Sequence, residues 1–398
     1  MKCIYCNLER KFNREHVFSA GLGGDDEDYV LRDAVCEVCN SAFSKLETEL
    51  LQKSPTALAR IGMQPVGRDR GTKTKEPTYT TDATYIVDEE GRLLEANIMA
   101  GFKSMLFPQI HIVGKNVYLT AADGEALKEF LRNLRDLIEK DEFSLIKKMK
   151  DDVGVSYEVF IVRKTEGGYE IGQGAKMAKP PKGGLWLQTT AAEKEVSNRF
   201  YRSKSGELTY KTAREDSVIE MLLAVEAYFE QLGVPSVWEE STLNQPIVQV
   251  ESSMNIAMAD RAVAKIGVNF LAYLAGSEYV RHPGFADVKN YILMGEPQLP
   301  WSHTEDQGVV RLLGHPPAQH HALLLSAVPL GNGMAMIFMA LKLYGAAVHR
   351  VCLAEVAPDP GWSEPKYYLI NYVSRKVQPV GMVDYMANYC DLAQVLGL

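Results

Sequence analysis

Four cysteines near the N-terminus fall into two Cys-x-x-Cys pairs, Cys3/Cys6 and Cys36/Cys39, with residues 7–35 between them. Two such knuckles supply four thiolates and the backbone turns needed to converge on one tetrahedral ion, so the expected metal is zinc. A segment this short buries too little apolar surface to fold alone, and the ion would contribute folding free energy. With all four positions filled by sulfur there is no place for an activated water. Any chemistry must therefore come from the loop between the knuckles. That loop carries Arg14-Glu15-His16 and, further on, Gly23-Gly24. An imidazole titrates near neutrality and can take a proton from water.

The order Cys3-x-x-Cys6, Arg14-Glu15-His16-Val17, Gly23-Gly24, Cys36-x-x-Cys39-Asn40 resembles the HNH, or ββα-metal, endonucleases whose finger is stapled by four cysteines. The resemblance implies a treble-clef finger and a phosphodiester hydrolase acting on nucleic acid, DNA before RNA. It implies His16 as general base, Glu15 and Asn40 as ligands of a catalytic Mg²⁺ or Mn²⁺, and Arg14 as a phosphate clamp. Glu47, two helical turns beyond Asn40, is the choice for an added ligand of that ion. Such nucleases usually carry a middle asparagine shortly before the second knuckle. Here Leu31-Arg32-Asp33-Ala34-Val35 stands there instead, and Asp33 or a backbone carbonyl is expected to hold the loop. The competing reading is a finger that only grips nucleic acid or a protein partner, with Glu15 and His16 incidental. A deaminase is excluded by the lack of an His-x-Glu pattern beside the thiolates.

Other groups read as structure. Asp25-Asp26-Glu27-Asp28 suits a solvated loop tip, His315, His320 and His321 a loop running into a strand, and Gly331-Asn332-Gly333 a turn. Cys352 and Cys390 read as ordinary buried thiols.

The elements that must position the finger follow from periodicity. Phe43, Leu46, Leu50 and Leu51 mark a helix that starts at the second knuckle and stops at Ser54-Pro55. Residues 82–98 suggest two strands around Glu89-Glu90-Gly91, and residues 155–161 a third. Leu127, Phe130, Leu131, Leu134, Leu137 and Ile138 make one face of a helix beginning near Thr120 to Asp123. Helices are expected near 217–232, capped by Gly233, and 256–275, and strands of one sheet at 321–328, 334–344 and 348–355. The fold class is α+β. The reading divides the chain into a finger at 1–60, a middle region at 61–180 and a C-terminal domain at 181–398, separate from the middle or continuous with it.

A net charge of −8 on 398 residues excludes a protein that coats nucleic acid with its whole surface. Contact must be local, and residues 60–75, with Arg60, Arg68, Arg70, Lys73 and Lys75, are a basic stretch that could also be a solvated linker. No signal peptide or membrane-length apolar run is evident, so the expected location is the cytoplasm and no membrane partner is expected. A double-strand cut needs two active sites, which a homodimer would supply. The region beyond the finger is expected to recognise or regulate.

Overall fold

Phe43, Leu46 and Leu50 recur every three or four residues, and they form the buried stripe of helix α1 (Glu37–Gln52). Ser54 ends that stretch and starts the next one: its Oγ accepts from Ala57 N at 3.3 Å, and Pro55 occupies the first turn of helix α2 (Pro55–Met63). Before α1 lies an antiparallel hairpin, strand β1 (Phe12–His16) and strand β2 (Val30–Cys36), with a bulge between Asn13 and Glu15. Hairpin then helix is the order the family resemblance implied for this segment.

This computed structural model describes all residues except 68, 71–72, 75, 114–115, 152–153, 191–197, 233–245, 300–306, 346–347, 360, 363 and 392–398. Arg68, Lys75 and the expected cap Gly233 lie outside the described residues, as do the side chains of Arg70 and Lys73.

The packing forms two units. The first joins residues 1–82 and 99–103 to 252–398; the second holds 83–98 and 104–251. These boundaries differ from the cuts drawn at 60 and 180, because the finger shares its hydrophobic core with elements more than 200 residues later. Val17, Phe18 and Phe43 pack in one cluster with Val263, Ile266 and Phe270 of the helix Ile256–Leu274 and with Leu323, Met339 and Tyr368 of a sheet. That sheet is antiparallel, in the order Val348–Val356, Met334–Lys342, His320–Gly331, Lys366–Asn371, Lys376–Val380. Its first three strands were expected; the last two were not.

In the second unit a mixed sheet carries the helices Gly124–Ile138 and Val218–Leu232 on one face, and the alternating apolar residues of 142–162 and 185–210 complete that core. Asp123 caps the first of these helices through Ala126 N. Strands Ala83–Val87 and Leu93–Ile98 pair around the expected turn and belong to a smaller sheet. A buried ion cluster ties the two sheets: Lys211 Nζ donates to Glu95 Oε1 at 2.8 Å and to Tyr85 OH at 2.9 Å, with Arg199 3.2 Å from the same carboxylate. Among the described residues no helix is long and apolar enough to cross a membrane.

Candidate functional site

The knuckles converge. The sulfurs of Cys3, Cys6, Cys36 and Cys39 all lie within 4.8 Å of one another, and Cys6 Sγ to Cys36 Sγ is 3.7 Å. A regular tetrahedron with zinc–sulfur bonds of about 2.3 Å has edges of about 3.8 Å. The donor set and its spacing therefore fit zinc, and the chain carries an N-terminal four-cysteine zinc-binding cluster. Cys3 is its readiest thiolate, held at about 4 chiefly by the hydrogen bond with Cys39 and against the cost of burial. The N-terminus of α1 begins on Cys36, so its dipole adds to the stabilisation of thiolate charge. Among the described residues, no other group of His, Cys, Asp and Glu is arranged to hold an ion.

The bulge in β1 leaves both Asn13 and Arg14 exposed and turns Glu15 inward. Arg14 is exposed, Glu15 is 5% exposed, and His16 is half-buried. Glu15 turns into the first unit, where Lys265 Nζ lies 2.5 Å from its Oε1. The same ammonium lies 2.8 Å from Oε1 of Glu47, one face of α1 away. Burial opposes the charge on Lys265, but Glu47 and Glu15 outweigh it and raise the group above its ordinary value. Burial likewise opposes ionisation of Glu47, and Lys265, His16 and Ser19 together pull it below the usual carboxylate range.

His16 faces an open cleft of about 430 Å³ lined also by Ser19, Ser44, Glu47, Gln52 and Arg60. Its Nε2 lies 2.6 Å from Oδ1 of Asp26. The other oxygen of Asp26 is 3.4 Å from the guanidinium of Arg375. Basic and acidic side chains thus alternate along Lys265, Glu47, His16, Asp26 and Arg375. Asp26 is not the plain solvated tip expected of its acidic run.

Of the expected quartet, the structure brings Glu15 and Glu47 to one point on Lys265 and sets His16 beside Glu47. Asn40 is elsewhere: its Nδ2 donates to the backbone carbonyl of Arg14 at 3.0 Å, pinning the hairpin to the first turn of α1. The role proposed for Asp33 also falls to another residue. Asp33 is exposed, whereas Asn269 Nδ2 donates to His16 O at 2.9 Å and to Glu15 Oε1 at 3.2 Å, and its Oδ1 accepts from Tyr5 OH at 2.7 Å. The asparagine that holds this loop comes from the helix Ile256–Leu274. Lys265 and Asn269, four apart on one helical face, are the two polar residues in the otherwise apolar run 262–272, and that was the signal available in the sequence.

Two further expectations need correction or support. Arg60 does not belong to a surface basic patch: it is buried and donates to Gly21 O at 2.9 Å and Leu51 O at 3.1 Å. His321 is structural, as expected. It lies fully buried between Leu22 O, 3.0 Å from Nε2, and Tyr344 N, 3.1 Å from Nδ1.

No family model matches the chain, and no solved structure matches it. The chain is 30% identical over 159 residues to the transcriptional repressor NrdR of Anaplasma phagocytophilum (strain HZ), a similarity covering 38% of this chain and 97% of that protein. Over that part of its length, the chain belongs to the family of this repressor.

Proposed function

We propose that the zinc-stapled finger is a nucleic-acid-binding module and that its ligand is duplex DNA. The observation that carries this reading is the hairpin's exposed basic edge. Arg10, Lys11, Arg14 and Arg32 all face solvent beside the clamped knuckles, and of these four only Lys11 has an ion pair among the described residues, with Glu37 at 3.8 Å between two exposed side chains. Guanidinium groups on a rigid hairpin suit phosphate oxygens, which accept two parallel hydrogen bonds. The zinc ion would hold the edge in shape without taking part in contact. Kinship with a transcriptional repressor, a class of protein that works on DNA, points the same way.

Fluorescence anisotropy with a labelled duplex tests this. Arg14→Ala and Arg32→Ala should each weaken binding regardless of sequence and lower the slope of log K against log salt by about one. Unchanged binding in the double variant, with zinc retained, would sink the reading.

A second reading is favoured by one contact, that of His16 with Asp26. A carboxylate on one ring nitrogen fixes an imidazole's orientation, as a general base in phosphodiester hydrolysis needs. On this reading a Mg²⁺ or Mn²⁺ ion assists, and a homodimer would cut both strands. Plasmid nicking with either ion, lost in His16→Ala at unchanged zinc content, is its expected result.

A further inference from the structure

Glu15 and Glu47 reach one buried point from different elements, strand β1 and helix α1. Two carboxylates so placed repel unless a cation lies between them. A divalent ion would sit about 2.0–2.6 Å from each oxygen. Lys265 Nζ sits at 2.5 and 2.8 Å from them, so the ammonium and such an ion would claim the same position.

We infer that Lys265 is the resident cation of this carboxylate pair, supplied by the chain itself, and that it keeps Glu15 and Glu47 from taking up a divalent ion. The side chain has nowhere else to go. It is 1% exposed, it leaves a helix whose residues 262–272 are all buried, and the ring of Phe43 lies 5.4 Å from its nitrogen. Swinging the ammonium aside would strand a charge in apolar packing, at a cost no weakly hydrated carboxylate site recovers. Asn269 closes the other side of Glu15, and Tyr5 fixes Asn269. One ammonium thereby offsets the repulsion between the two carboxylates without an added ion. The inference concerns the charges inside the finger and stands whether or not its basic edge binds DNA.

Mn²⁺ binding, followed by the electron paramagnetic resonance of the free ion, tests this on the zinc-loaded full chain. Wild type and Glu47→Gln should bind Mn²⁺ equally weakly, because Glu47 is already occupied. Lys265→Met should gain one Mn²⁺ per chain, at least about ten-fold tighter, and the gain should vanish in Lys265→Met/Glu15→Gln. Wild-type binding that Glu47→Gln weakens would overturn the proposal, as would a folded Lys265→Met that gains nothing. Should Lys265→Met fail to fold, the comparison of wild type with Glu47→Gln decides alone.

Discussion

Asn269 donates through its amide to the backbone carbonyl of His16 at 2.9 Å, across 253 residues of sequence. Replacing it by alanine takes the amide donor from that carbonyl and leaves the Tyr5 hydroxyl only a long bond to Lys265 O at 3.4 Å, at about 1–3 kcal/mol for each lost partner. Asn269→Ala should therefore lose several kcal/mol in urea unfolding and broaden the His16 ring signals in NMR. A loss below about 1 kcal/mol would mean that water reaches these groups and that the loop is held by something else.

Metal analysis should return one zinc per chain, and a strong chelator should do more than unfold the first 60 residues. Cys3, Cys36 and Cys39 belong to the same apolar cluster as the helix Ile256–Leu274 and the five-stranded sheet. Structural zinc contributes an apparent 10 kcal/mol or more in small fingers, so Cys39→Ser or chelation should lower the melting temperature of the whole first unit. An unchanged melt would show that apolar packing alone sustains it.

Acid should weaken the first unit through His321. Burial is the main cause that holds its folded pKa down at about 3, against an ordinary 6.5. Between these values the unfolded chain binds a proton that the folded chain refuses. Stability is intact above pH 6.5 and falls by up to about 1.4 kcal/mol per pH unit as the pH drops toward 3. The geometry agrees, since a protonated ring could not accept from Tyr344 N. Unfolding measured from pH 7.5 to 4 should show this decline, and His321→Gln should flatten it.

Gly23 has φ of +88°, and a Cβ there would meet Tyr372 Cα at 2.4 Å. Both the left-handed backbone and the backbone contact oppose any side chain. Gly23→Ala should cost roughly 2 kcal/mol or more and separate the finger's loop from the strand end at Tyr372. Calorimetry showing a loss below about 1 kcal/mol, the worth of a single N-cap, would contradict this.

Local elements were legible because their signals are local. The α1 stripe, the Ser54-Pro55 stop and the cap at Asp123 each lie within a few residues of what they control, and all stand where the pattern puts them. The zinc cluster was legible because a thiolate knuckle has few other uses. What the pattern could not show was the partner of each polar residue. Glu15 and Glu47 read as a metal pair because nothing near them in sequence could neutralise them, and the lysine that does so lies on a helix whose apolar run looked like plain core. Strands Lys366–Asn371 and Lys376–Val380 went unread because a buried inner strand and its short edge neighbour lack a clear alternation.

Glu15 and Lys265 are separated by 250 positions. At about 5–20 residues per second, a ribosome needs roughly 12 to 50 seconds to deliver the second after the first. During that interval the knuckles can already seize zinc, while Glu15, Glu47 and the apolar underside of α1 wait without their mates. The metal would then act as a placeholder, keeping the nascent hairpin in register until the late helix arrives. Starving a translating cell of zinc should accordingly reduce the yield of folded protein more than stripping zinc from finished chains reduces their survival.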